Sequence, residues 1–323
     1  MKSWQILESG NLEQFKLQDI QQDKLSKGKV RVRVRAIGVN PADLMQAMGT
    51  HQNPPPIPFS PGFEISGEVS ESHSEIYKEG DRVMASMDFG AYQEYVDVSE
   101  NLLEIIPETV SFTQASAIPI AYGTAYISML HRGNLKSGES LMIFGATGGV
   151  GSRTVEIGAA KGAHVIAIYS KAEEMDYLKS LGADEYINYK TEEIIARAKE
   201  ITAGKGVDVI ADLVGGDMFQ KALESVAWEG RILPIGAASG EIPQLTSLDM
   251  LVRNASLVGT DFAAYIVNKP KIVRKAFQKL FKWHAKGRLN FPEPNNILPF
   301  EDARSVFQKM SERSLKGKTV LTL

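Results

Sequence analysis

The sequence predicts a two-domain α/β protein, a β-rich, barrel-like part joined to a doubly wound parallel sheet, and three observations predict it. The chain has 323 residues, long for one hydrophobic core, so two domains of roughly 100–200 residues each are expected. Its first third breaks into short strand-like runs separated by Gly, Pro and Asp. From about residue 114 longer helical stretches alternate with apolar strand runs, the pattern of a parallel sheet covered on both faces.

Composition narrows the function classes. Lys and Arg number 36 and Asp and Glu 39, a net charge of −3, so no global field favours nucleic acid or a membrane surface. Cysteine is absent, which excludes disulfides, thiolate nucleophiles, iron–sulfur clusters and every cysteine-bearing zinc site. The opening residues Met1-Lys2-Ser3-Trp4-Gln5-Ile6-Leu7-Glu8 turn polar before a signal-peptide core can form. No later apolar run approaches the about 18 residues of a membrane span. A cytoplasmic, unexported protein is expected.

The elements follow in order. Val30-Arg31-Val32-Arg33-Val34-Arg35-Ala36 alternates at period two and predicts a half-buried strand. Its arginine row reads as a solvated sheet face rather than a phosphate stripe. Pro and Gly cluster over 53–62 as a loop, followed by strand-like pieces at 65–69 and 82–84. The second part predicts strands at 141–144, 164–169, 207–212 and 231–236, and the chain closes on a basic helix, a Pro/Asn loop, a helix over 301–313 and a strand at 319–321.

The strongest motif is Phe144-Gly145-Ala146-Thr147-Gly148-Gly149-Val150-Gly151, directly after a four-residue apolar run and before the helix-like stretch 153–161. Glycines there permit a tight turn, let backbone N–H groups approach a pyrophosphate, and bring a helix N-terminus against that anion. In this context the loop predicts nucleotide binding by a Rossmann-like domain, with Gly145, Gly148, Gly149, Val150 and Gly151 at the phosphates. The alternative is a strand-to-helix turn that binds nothing. At the end of the next strand, where an acidic residue would select NAD, the chain has Tyr169-Ser170-Lys171. A hydroxyl and an ammonium suit a 2′-phosphate, so NADPH is the expected cofactor. Alternatively Lys171 only starts a helix over 172–181, and Glu173 or Glu174 reaches the ribose.

Spaced motifs along the whole chain then carry a resemblance. Asn40-Pro41-Ala42-Asp43, Pro61-Gly62-Phe63-Glu64-Ile65-Ser66-Gly67-Glu68-Val69, Gly80-Asp81-Arg82-Val83, Gly90-Ala91-Tyr92-Gln93-Glu94-Tyr95, Tyr122-Gly123-Thr124-Ala125, the glycine loop, Leu181-Gly182-Ala183-Asp184 and Gly317-Lys318-Thr319-Val320-Leu321 all look like signatures of one family. Together they resemble the zinc-independent quinone oxidoreductase branch of the medium-chain dehydrogenase/reductase superfamily. That resemblance implies a GroES-like substrate domain over 1–121 and 262–323, a Rossmann-like NADPH-binding domain over 122–261, an active site in the cleft, and homodimers joined through the Rossmann sheet. It also implies that Asn40 and Thr124 lie near the nicotinamide as the catalytic pair, Ser170, Lys171 and Tyr189 at the adenosine phosphate, and Gly236 near the nicotinamide ribose. Each has a structural alternative: a turn at Asn40-Pro41, a helix cap at Thr124, a partly buried aromatic at Tyr189.

Zinc-dependent relatives carry a histidine where this chain has Phe63. His51, His73, His131, His164 and His284 are scattered without metal-ligand spacing, and no metal is expected. Hydride transfer to a quinone needs alignment more than an acid or base, because the acceptor is electrophilic and its product takes protons from water. Tyr122 offers a hydroxyl, yet a buried tyrosine satisfied by one hydrogen bond accounts for it as well, so no general acid is assigned. Relatives often have an aromatic residue after the Asn-Pro-x-Asp element, whereas this chain runs Leu44-Met45-Gln46-Ala47-Met48-Gly49-Thr50-His51. A 2-enoyl-thioester or enone reductase is the nearest alternative. A crystallin-like structural or RNA-binding role is the second, resting on Lys269 to His284 with six Lys or Arg and no acid. Its apolar residues follow helical spacing, so a packed face with a solvated opposite face is the simpler account.

Overall fold

The computed structural model describes residues 1–315 and 317–323. Its strands in chain order are β1 (Lys2–Ile6), β2 (Phe15–Asp19), β3 (Lys29–Val39), β4 (Glu64–Ser72), β5 (Arg82–Ser86), β6 (Tyr95–Ser99), β7 (Leu103–Ile105), β8 (Ser140–Phe144), β9 (His164–Tyr169), β10 (Glu185–Asn188), β11 (Val207–Asp212), β12 (Val226–Pro234), β13 (Ser256–Leu257), β14 (Asn296–Pro299) and β15 (Thr319–Thr322). Contacts divide the chain into two units. One comprises Met1–Ile120, Ala263–His284 and Asn290–Leu323; the other comprises Ala121–Phe262 and Ala285–Leu289.

The first unit is GroES-like, a sheet ordered β14-β15-β3-β4-β5-β7 with β6 also paired to β3. The alternating valines make β3 its centre: Val30, Val32 and Val34 point into the core, and antiparallel partners lie on both sides. Burial on both edges overturns the expectation of a solvated arginine row at Arg31, which is only 9% exposed. Arg31 sits opposite Glu71 on β4 and Asp97 on β6. Its guanidinium donates to Asp97 Oδ1 at 2.7 Å, to Asp97 Oδ2 at 2.9 Å and to Glu71 Oε2 at 2.9 Å. Cross-strand pairing thus holds the charge in place, while Arg33 alone in the row is exposed. The returning C-terminal helix Ala303–Ser311 places Phe307 against Phe15, stacked at 4.7 Å between centroids.

The second unit is the Rossmann-like one, a parallel sheet ordered β10-β9-β8-β11-β12-β13. Strands buried on both faces read as continuous apolar runs, as Leu141, Met142, Ile143 and Phe144 do at 0% exposure. Helices connect the strands, among them Gly149–Lys161 between β8 and β9. β12 differs from the expected 231–236: it starts at Val226 and ends at Pro234. The added residues pass through Glu229 in the left-handed region, φ 59°, and a register irregularity against β11, so local irregularity hid them from the period-two pattern.

The basic segment forms the helix Pro270–Ala285, with Val273, Ala276, Phe277, Leu280 and Phe281 buried on one face. Arg274 is paired with Glu104 at 3.3 Å. Among the described residues no helix is long and apolar enough to cross a membrane.

Candidate functional site

In the second unit the chain runs outward from β8 to β9 and β10 and then returns to β11 on the other side of β8. That is the switch point at which open parallel sheets bind ligands, outside the carboxyl ends of the strands. β8 ends in the glycine loop. Gly145 adopts φ +77°, and its carbonyl accepts from the Gly148 N–H at 3.1 Å, closing the turn. A β-carbon on Gly151 would lie 2.0 Å from the Gly145 carbonyl oxygen, so only glycine lets the helix start this close to the strand. A β-carbon on Gly149 would meet nothing within 4 Å. The first bond of this helix runs from the Ser152 N–H to the Gly148 carbonyl. Gly149, Val150 and Gly151 therefore present first-turn amides without intrahelical acceptors, beside room that a side chain would fill.

At the ends of β8, β9 and β10 lies a cavity of about 130 Å³ lined by Phe144, Gly145, Thr147, Ile168, Tyr169, Ser170, Tyr189, Val214 and Met218. It gathers Gly145, Ser170 and Tyr189 of the residues expected from sequence. Lys171 is exposed in the turn after β9, and the helix that follows begins only at Glu174 (Glu174–Ser180), so Lys171 does not start it. Lys190 Nζ stands 5.4 Å from the Tyr189 ring centroid. Opposite, Asp212 ends β11 wholly buried, and its Oδ1 accepts from the Val214 N–H at 2.9 Å and the Gly215 N–H at 3.0 Å. Burial raises this carboxyl above its ordinary range against those two bonds. Asp212 also anchors Gly236, whose N–H reaches its carbonyl at 3.2 Å. Glycine-rich turn, free first-turn amides and an aromatic-walled cavity fit a dinucleotide.

Thr124 lies inside the helix Pro119–Tyr126 rather than at its start, so a helix cap does not account for it. Its neighbour Gly123 faces Phe262 so closely that a β-carbon would lie 2.2 Å from the ring. The Tyr122 hydroxyl donates to Glu156 Oε2 at 2.7 Å and accepts from Arg153 Nη1 at 2.8 Å. Burial pushes that phenol well above its usual range, which argues for a structural role rather than proton delivery.

In the first unit Asn40 precedes the helix Pro41–Ala47 and is 7% exposed. Its side chain is fixed from both ends: Nδ2 donates to Glu64 Oε1 at 2.8 Å, and Oδ1 accepts from Lys318 Nζ at 2.9 Å. Lys318 Nζ also reaches Glu64 Oε1 at 2.5 Å, and the Ile120 N–H donates to Glu64 Oε2 at 2.8 Å. Asp43, at 0% exposure, accepts on Oδ2 from the Asn40 N–H and the Tyr92 hydroxyl, both at 2.9 Å, while its Oδ1 has no hydrogen-bond partner among the described residues. Burial lifts the Asp43 carboxyl to about 7, against those two hydrogen bonds. In the 44–51 segment Gln46 is buried, donating to the Asp88 carbonyl at 2.6 Å, while Met45 and Met48 are exposed. The His51 ring lies 5.5 Å from that of Phe63. Among the described residues no group of three or more His, Cys, Asp or Glu is placed to hold a metal ion.

Comparison with known proteins gives this geometry its family. Residues 149–283 match the zinc-binding dehydrogenase family and residues 26–108 the alcohol dehydrogenase GroES-like domain. The chain is 37% identical over 303 residues to quinone oxidoreductase-like protein 2 homolog of Nematostella vectensis, covering 93% of this chain and 83% of that protein. The chain belongs to the zinc-independent quinone oxidoreductase branch of the medium-chain dehydrogenase/reductase superfamily. It is 31% identical to the mouse quinone oxidoreductase-like protein 2 over 310 residues, 95% of this chain and 88% of that one. The solved quinone oxidoreductase of Pseudomonas syringae pv. tomato superposes with a TM-score of 0.89 at 29% identity, covering 100% of this chain and 99% of that chain. A mycobacterial relative solved in complex with NADPH superposes with a TM-score of 0.89 at 25% identity, covering 100% of both chains.

As a member of this branch the chain is an oxidoreductase of the nicotinamide-dependent kind. Sequence reasoning missed Val214 and Met218 at the cavity, whereas Glu174 was named as an alternative partner of the ribose. The glycine pair Gly215-Gly216, three residues beyond the end of β11 and at φ +73° and +55°, was the available signal for both, since it resembles the strand-then-glycine pattern that marks β8. Lys318 and Glu64 were visible only as parts of family signatures, because their meeting with Asn40 spans 278 and 24 positions in sequence.

Proposed function

We propose that the chain reduces quinones, or related electrophilic carbonyl acceptors, by hydride transfer from NADPH without a metal, and that it works in the cytoplasm as a homodimer. The observation that carries the reading is the cavity at the ends of β8 and β9, beside the free amides of Gly149, Val150 and Gly151. Those amides would bind the pyrophosphate, Tyr189 and Met218 would wall the adenosine, and Ser170 and Lys171 would meet the 2′-phosphate. Bound NADPH supplies the hydride. The protein's share is to fix the cofactor and shape the acceptor site: Thr124 and Asn40 are the proposed neighbours of the nicotinamide, Gly236 of its ribose. Asn40 is suited to this by its amide, held rigid by Glu64 and Lys318, since a preorganised dipole loses no energy to reorientation. A mycobacterial relative complexed with NADPH supports the cofactor, and the names of the animal relatives support the acceptor class.

The cofactor assignment is tested at Lys171. A charge-assisted contact to a 2′-phosphate contributes about 1.5–3 kcal/mol, roughly ten- to a hundredfold in affinity, and the exposure of Lys171 places the effect at the lower end. Lys171→Ala should weaken NADPH about tenfold while sparing NADH, and Lys171→Glu should go further. Michaelis constants for both cofactors at fixed acceptor and ionic strength, with direct titrations, check this. A wild type that prefers NADH, or a ratio untouched by both variants, rejects it. Parallel turnover on quinone and enone panels assigns the acceptor.

A further inference from the structure

The backbone amides at the β9 end, where a 2′-phosphate would arrive, already have an acceptor. Glu174 Oε2 accepts from the Ser170 N–H at 3.2 Å and from the Lys171 N–H at 3.0 Å. Glu174 is partly buried, whereas Lys171 beside it is exposed. Ser170 lines the cavity together with Tyr169 and Tyr189, so this carboxylate is tied to one of the cavity's own residues. Lys190, over the Tyr189 ring, adds a second cation on that side. The turn therefore holds one carboxylate on the two backbone donors an incoming anion would use, next to the exposed Lys171 in sequence.

We propose that Glu174 is the specificity-determining residue that sets the balance between NADPH and NADH in this chain. A 2′-phosphate meets like charge at Glu174 and must turn the carboxylate away to reach the two amides. A 2′-hydroxyl has the opposite need: it can donate to the same carboxylate where it stands. Lys171 and Glu174 thus pull the cofactor choice in opposite directions, and the measured preference is their difference. This inference rests on the dinucleotide reading above and adds a residue that opposes its 2′-phosphate preference.

The test uses the full chain and binding alone. Calorimetric titration with adenosine 2′,5′-bisphosphate and with 5′-AMP, and fluorescence titration with NADPH and NADH, are compared for wild type, Glu174→Gln and Lys171→Ala at two salt concentrations. Glutamine keeps an oxygen for the two amides and loses only the charge, and an unchanged thermal midpoint verifies that the turn persists. Glu174→Gln should tighten the 2′,5′-bisphosphate and NADPH about five- to twentyfold and 5′-AMP less than about twofold, with the gain shrinking as salt rises. Lys171→Ala should shift the same ratio the other way. An unchanged ratio in Glu174→Gln, or equal shifts for both nucleotides, overturns the proposal while leaving the NADPH assignment standing. A wild type that prefers NADH, but whose Glu174→Gln ratio moves toward NADPH, supports Glu174 and overturns that assignment. Binding of none of the four ligands overturns both.

Discussion

Asn40 shows how much of a site depends on residues that do not touch it in sequence. The sequence suggested no more than a turn at Asn40-Pro41, whereas Pro41 opens the helix Pro41–Ala47. What holds the Asn40 side chain is a buried carboxylate, Glu64, and an ammonium, Lys318, from the far end of the chain. No local pattern predicts that meeting, for the same reason that the arginines of β3 gave no sign that Arg31 is buried between Glu71 and Asp97. The neighbouring Asp43 makes a sharper prediction. Its carboxyl titrates near 7 in the fold because burial disfavours the charge, against about 3.9 in an unfolded chain. The folded state then binds the extra proton, so this contribution to stability is fully present below the unfolded value and is lost as pH rises through 7. In that window the slope is about 1.4 kcal/mol per pH unit. Asp43→Asn cannot titrate. Urea unfolding of both proteins from pH 5 to 8 should show wild type falling relative to the variant up to about pH 7 and levelling off above it, and parallel curves throughout would mean that Asp43 stays charged.

At the level of elements, the apolar strands of the parallel sheet were legible because burial on both faces leaves no polar positions to blur them. β9 and β11 match the sequence reading to the residue, at His164–Tyr169 and Val207–Asp212. The helix after the glycine loop was less legible. It begins at Gly149, four residues ahead of the 153–161 stretch that the side chains suggested, because its first turn carries glycines of low helix propensity. The same loop separates two kinds of glycine. Gly151 is needed by the fold: a β-carbon there would press on the Gly145 carbonyl at 2.0 Å, so Gly151→Ala should cost about 2 kcal/mol or more in chemical unfolding. Gly149 faces open room. Gly149→Val should change stability by only about 0.5 kcal/mol yet weaken dinucleotide binding at least about tenfold, because the side chain takes the space of the pyrophosphate. Unfolding curves and fluorescence titration of the two variants separate these effects, and a Gly149→Val chain that binds as wild type would show that the phosphates lie elsewhere.

On the scale of the whole molecule, the second unit ends its sheet at β13, a two-residue strand that among the described residues pairs only with β12. Such an edge presents unpaired backbone groups and in monomers is usually blunted by charge. Exposed apolar side chains stand on β13 and on the helix that precedes it in sequence. Leu248, Leu251 and Val252 on the helix Ser247–Arg253 and Leu257 on β13 are 62%, 70%, 56% and 40% exposed, which is where the proposed homodimer would close. Two copies meeting edge to edge about a two-fold axis would satisfy the strand and cover those side chains at once. The glycine loop lies at the strand ends of the same sheet, so the contact would leave the proposed cofactor cavity open. A double variant, Leu251→Asp with Leu257→Asp, places four carboxylates at the contact and should dissociate the dimer. Sedimentation at micromolar concentration should give twice the chain mass for wild type and the chain mass for the variant, with NADPH affinity within about twofold of wild type. A wild type that sediments as a monomer removes the dimer from the reading, and a variant that stays dimeric moves the interface away from β13.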